Sequence, residues 1–133
     1  MPSYSSGLGR FVKRDARTSL KASGAETSST TGTAMELGDA GSLVVTVDVT
    51  AASGTTPTMV VDIEGSADGS NWFPLGQFGA NGYRSGSVGT APSNFTAAAT
   101  TRGAVTGAPY VRHKSTIGGT TPSFTYSITV SAA

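Results

Sequence analysis

The sequence predicts an all-β protein: an antiparallel β-sandwich, jelly-roll or immunoglobulin-like, preceded by an extended basic N-terminal arm. Three observations carry this expectation. Apolar residues recur at every second position over Leu43–Val49, Met59–Ile63 and Phe124–Val130, with polar residues between them except at Val44 and Val60, so each run turns one face to a core and the other mainly to water. The phrase Gly-Thr-Thr-Pro leads into such a run twice, at Gly54 and at Gly119. The composition is poor in charge (13% of residues) and holds 18 glycines, whereas a typical soluble domain is about 25% charged. That mixture suits many turns and argues against a helical bundle, which needs long runs of Leu, Glu, Lys and Arg.

The elements follow in order. Residues 1–17 mix Gly, Ser and basic side chains around a small apolar cluster, Leu8, Phe11 and Val12, and read as an arm; residues 18–133 are the sandwich domain. Thr18–Ala22 is a short strand, Thr27–Thr33 a polar loop, and Ala34–Leu37 a second short strand before the turn at 38–41. Leu43–Thr50 is a half-buried strand and Met59–Glu64 another, with Pro57 at a strand start, where a missing N–H is tolerated. In Ser66–Trp72 (SADGSNW), Asp68-Gly69 marks a tight turn, with Trp72–Phe78 returning. Residues 79–107 hold six glycines and little periodicity, which predicts long loops and one short strand near Ser93–Ala98. Tyr110–Ile117 and Phe124–Val130 complete the sheet. Each Gly-Thr-Thr-Pro segment is expected to close a hairpin, 43–50 with 58–64 and 110–117 with 123–131, and the two hairpins to pack face to face. The expected interior is Leu43, Val45, Val47, Val49, Met59, Val61, Ile63, Phe124, Tyr126, Ile128 and Val130. The repeated phrase reads as two uses of good turn chemistry rather than as a duplication.

At 133 residues the chain fits one domain with a self-sufficient core. It has no cysteine, which excludes disulfides, zinc thiolates and thiol nucleophiles. The start carries no signal-like apolar core, and no run approaches the ~18 apolar residues of a membrane span, so a protein made and kept in the cytosol is expected. Little points to catalysis. His113 is the one histidine, flanked by Arg112 and Lys114, two cations that disfavour an imidazolium, and it reads as an ordinary strand histidine. Asp62 and Glu64 read as solvated decoration on one strand face. The glycines at 79–89 lack the Lys-Ser/Thr and the helix of a phosphate loop. Asp68 is expected to hold its turn and Trp72 to pack on the core beside it. No catalytic residue, metal ligand or cofactor is expected.

Arg10, Lys13, Arg14, Arg17 and Lys21 are five of nine basic residues, opposed only by Asp15, while the middle of the chain is acidic. Such an arm suits phosphates or an acidic protein surface. With Phe11 alone among the cations for base stacking, docking on a protein is the better reading, with Arg10, Phe11, Lys13, Arg14 and Arg17 as partner-binding residues.

The series LGDAGSLVVTVDVTAASGTTPTMVVDIEGSADGSNWFPLGQF, followed by APYVRHKSTIGGTTPSFTYSITV, resembles small β-rich virion proteins of tailed bacteriophages, notably those of actinobacteria, over roughly residues 17–131. It departs from that pattern at RHKST (Arg112–Thr116), which is more polar, and in 79–107. The resemblance implies a non-enzymatic virion structural protein, foremost a capsid decoration or cement protein. Its partner would be the major capsid protein, its own state a homotrimer, and its place the capsid surface after assembly in the host cytoplasm, with neither nucleic acid nor membrane as partner. A tail or head–tail component, or a carbohydrate-binding host-attachment module, are the alternatives.

Overall fold

The structure, a computed structural model, describes residues 17–38 and 41–132. Its organising elements are two strands too long for one layer: β3 (Ser42–Ser66) and β7 (Tyr110–Ala132), paired antiparallel along their whole lengths. At about 3.3 Å per residue, 25 residues would reach roughly 80 Å, whereas a compact chain of this size has a radius of gyration near 14 Å. The ribbon therefore has to fold over on itself, and it does so at the two Gly-Thr-Thr-Pro segments. Folding it over creates two layers. In the first, β1 (Arg17–Glu26) flanks the later half of β7, and β6 (Ala99–Thr106) flanks the earlier half of β3. In the second, the order is β2 (Met35–Glu36), early β7, late β3, β4 (Phe73–Gly79) and β5 (Gly82–Ser85). The fold is an all-β antiparallel sandwich, and all eleven expected interior residues are at most 2% exposed. Leu20, Leu75, Phe78, Phe95, Val105, Ala108 and Val111 fill the rest of the core.

The expected hairpins do not form. Val45 pairs with Val130 and Val47 with Ile128, while Val61 pairs with Ser115 and Ile63 with His113. Alternation fixes which face a strand buries but says nothing about its partner, and Gly-Thr-Thr-Pro here bends a strand without reversing it. The two corners lock together. Gly54 and Gly119 have φ of 112° and 113°, and Thr56 and Thr121 have 48° and 46°. A Cβ on Gly54 would lie 2.7 Å from Thr121 O and 2.9 Å from Pro122 Cα; one on Gly119 would lie 2.7 Å from Thr56 O and 3.0 Å from Pro57 Cα. Each corner therefore fills the space a side chain would need on the other, and the repeat is a local two-fold. That two-fold relates Val47 to His113, Val49 to Ser115 and Val61 to Tyr126. A register shift between Val49 and Ala51 adds one residue at Thr50, a bulge that keeps both halves facing inward.

The 79–107 segment also differs from expectation. It holds β5 and β6, and at Ser93–Ala98 only Phe95 pairs, exchanging both backbone hydrogen bonds with Met59 (2.7 and 3.0 Å). β6 escaped notice because its inward positions are Thr101, Gly103 and Val105. Tyr83, stacked on Phe78 at 5.3 Å, lies against Gly103 where a Cβ would be 2.5 Å from its ring, and Thr101 Oγ1 donates to Gly79 O (2.7 Å). Gly103 is needed because the Tyr83 ring, itself 40% exposed, occupies the space its side chain would take.

Candidate functional site

Two polar clusters stand out, one between the layers and one on the outer face of the second layer. The inner cluster forms where β1 ends. Beyond Glu26 the chain crosses from the first layer to the second, and residues 29–32 strap the early half of β7. Gly32 N donates to His113 O, Ser115 N to Thr30 O, and Ile117 N to Ser29 Oγ. The crossing carries the Glu26 carboxylate inward. It accepts from Tyr126 Oη (2.6 Å) and Ser115 Oγ (2.8 Å) and lies 3.3 Å from His113 Nε2. Lys21 borders the cluster, donating to Tyr126 O (2.9 Å) and Gly24 O (3.1 Å) with its ammonium 4.1 Å from the Tyr126 ring centroid. Burial pushes the Tyr126 hydroxyl far up, helped by its bond to Glu26. Burial also lowers Lys21, against the pull of Glu26.

His113 is lowered from its usual value chiefly by burial, with Lys21 adding to this and Glu26 opposing it. The sequence-based reason, its neighbours Arg112 and Lys114, is corrected: those side chains alternate onto the outer face, and the cation that matters comes from β1. The arrangement is no catalytic relay. Ser115 and His113 both meet the carboxylate rather than one another, whereas a serine nucleophile needs contact with its base. Ser115 is 1% exposed, out of a substrate's reach. What the cluster does is hold the N-terminal segment to the sandwich by a carboxylate satisfied from three directions. Glu26 was missing from the sequence reading, and Lys21 entered it only as one of the cations near the N-terminus. The usable signal was RHKST: two inward positions of a strand occupied by His and Ser, which require a buried partner.

The outer cluster starts from the SADGSNW turn. The Asp68 carboxylate accepts from Asn71 N (2.9 Å), Ser70 N (2.8 Å), Asn71 Nδ2 (2.8 Å) and Ser66 Oγ (2.9 Å). The backbone donors, Asn71 first, hold it far below the usual carboxylate range, so Asp68 does have the turn-holding role expected of it. Trp72 does not pack in the core. It is half-buried on the outer face, with the Arg112 guanidinium 4.1 Å from its ring centroid and Arg112 Nε donating to Glu64 Oε1 (2.8 Å). Phe73 beside it is 45% exposed. Asp62, next on this face, accepts from Gln77 Nε2 (2.9 Å), and its burial raises its pKa against that bond. Asp62 and Glu64 are thus both engaged, more than simple decoration.

Of the expected partner-binding residues, Arg10, Phe11, Lys13 and Arg14 lie outside the described residues. Arg17 is the first residue of β1, opposite Ser131 and exposed. No protein-family model, curated protein or solved structure matches the chain.

Proposed function

We propose that the protein is a virion structural component of a tailed bacteriophage, a capsid decoration or cement protein acting by binding rather than by catalysis. The observation that carries this reading is the position of Arg17: it is exposed at the start of β1, the outermost strand of the first layer. The cation-rich residues 1–16 therefore join the sandwich at its rim, where a neighbour can be reached without unfolding the body. Arg10, Lys13, Arg14 and Arg17 pair with carboxylates of the major capsid protein or of an adjacent copy, and Phe11 supplies the apolar anchor. Exposed ion pairs contribute only about 0–1 kcal/mol each, so Phe11 outweighs any single cation. Many copies bridging neighbouring subunits then stabilise the shell by mass action. Three of the four sheet edges are blunted, with β1 bulged twice, β2 two residues long and β5 four, whereas β6 is an eight-residue edge without a register shift. The proposed homotrimer is assembled through the arms.

Deleting residues 1–16 should leave melting unchanged and sharply reduce incorporation into particles; equal occupancy of truncated and full-length protein would overturn the reading. Quantifying copies per particle separates hundreds, for a capsid or tail-tube protein, from the handful of a connector or tail-tip protein. Exposed Phe73 beside half-buried Trp72 favours a second reading, a glycan-binding attachment module. A Trp72 fluorescence change on titration with host cell-wall glycans tests it.

A further inference from the structure

We propose that the Glu26–His113 contact is an acid-sensitive latch: it holds β1 and the strap at 27–32 on the sandwich, and protonation of His113 releases them while the two-layer core stays folded. The geometry has one ring nitrogen committed and the other blocked. Nε2 faces Glu26 Oε2 at 3.3 Å, which leaves Nδ1 as a bare acceptor, buried and without a partner. Gly32 lies so close over the Nδ1–Cε1 edge that a side-chain carbon there would overlap the ring. A proton on Nδ1 turns that nitrogen into a buried donor aimed at the Gly32 backbone, with no acceptor. Relieving it requires Gly32 to withdraw. Because Gly32 N donates to His113 O and Thr30 exchanges backbone and side-chain bonds with Ser115, the strap moves with it.

The charges facing His113 are Glu26 and Lys21, both from β1, with the Tyr126 hydroxyl and Ser115 from β7. Arg112 and Lys114 point to the other face. Lys21 opposes a second cation in the cluster, while Glu26 alone favours one. Burial decides the balance, so the folded-state value lies below the ordinary one. The sign follows: the latched state is fully favoured above about pH 6.5, and that contribution is lost as pH falls through the folded-state value.

Two further observations make the release local. Leu20 is the one residue of 17–32 in the buried core, so the segment adds little apolar packing to the interior beyond covering Tyr126, His113 and Ser115. The two-fold mates of His113 and Ser115 are Val47 and Val49, so the fold completes the same positions elsewhere with apolar side chains. The polar pair occurs only where the strap must be held.

Hydrogen–deuterium exchange of the full chain from pH 7.5 to 5.0, corrected for intrinsic exchange, tests this. Peptides within 17–37 should lose protection, by at most about tenfold per pH unit because one proton is taken up, while 43–49 and 59–63, which pair with neither β1 nor the strap, stay protected. His113→Gln keeps a donor for Glu26 without titrating and should be flat across the range. If that variant does not fold, the ring resonances of the chain's single histidine in the wild type should titrate with the same midpoint as the exchange. Unchanged protection of 17–37, a core that opens in step with it, a pH dependence that persists in His113→Gln, or histidine titration without opening would each overturn the latch.

Discussion

Replacing Gly54 by Ala tests the interlocked corners directly. At φ 112° an alanine is held in a region that costs a non-glycine residue about 1–3 kcal/mol. Its Cβ would also lie 2.7 Å from Thr121 O, 2.9 Å from Pro122 Cα and 3.0 Å from Thr120 O. Those atoms are backbone and cannot rotate away, so overpacking adds about 1–3 kcal/mol. The expected loss is about 2–6 kcal/mol, a large share of the 5–15 kcal/mol typical of a domain, or a fall in melting temperature of roughly 8–24 °C. Urea unfolding followed by the single tryptophan and by circular dichroism measures it. Gly119→Ala meets the mirror-image contacts with Thr56 O, Pro57 Cα and Thr55 O and should cost the same within about 1 kcal/mol. The double variant is decisive. Once one corner has pushed the other away, the second clash is partly relieved, so the pair should fall short of additivity by at least about 0.5 kcal/mol. Strict additivity, or a Gly54→Ala cost under about 0.5 kcal/mol, would refute the reciprocal packing and restore two independent turns.

Glu26→Ala strands the Tyr126 hydroxyl, Ser115 and His113 without their common acceptor and should cost about 2–4 kcal/mol in urea. Combining Glu26→Leu with His113→Val and Tyr126→Phe, and keeping Ser115 because its hydroxyl accepts from Thr30 N and donates to Thr30 O, should return stability to within about 1 kcal/mol of wild type, because no buried polar group is then left unpaired. Asp68→Asn should lower stability at neutral pH and lessen its fall in acid. The depressed value of Asp68 means its contribution is present above about pH 4, the unfolded value, and is lost as pH drops further. Wild type and variant should therefore converge between pH 5 and pH 2, and a constant gap in melting temperature across that range would count against the turn mechanism.

The all-β class and the inward residues were legible because a strand's two faces are a property of consecutive residues. Leu43 to Val49, Met59 to Ile63 and Phe124 to Val130 announce their faces without any knowledge of partners. The Asp68 turn was legible for the same reason, since its donors lie within three residues. β6 was not, because Thr101 is accommodated by Gly79 O and Gly103 by the Tyr83 ring, both from other strands. Trp72 was misplaced because Arg112, 40 positions away in sequence, supplies its stacking partner.

Pairing and chemistry between distant segments needed the tertiary structure. One Gly-Thr-Thr-Pro closing a hairpin and one bending a strand present the same local dihedral demands; only the steric fit of Gly54 against Thr121 and of Gly119 against Thr56 decides between them. Likewise, the sequence placed His113 and Ser115 on a strand, Tyr110–Ile117, without assigning their face. It could not determine what satisfies them, because the acceptor, Glu26, stands nearly 90 residues earlier, as the separations of 87 and 89 positions attest. A strand's faces are set by its own backbone period, whereas the partner of a buried polar group is set by whichever segment the folded layers bring within about 3 Å of it.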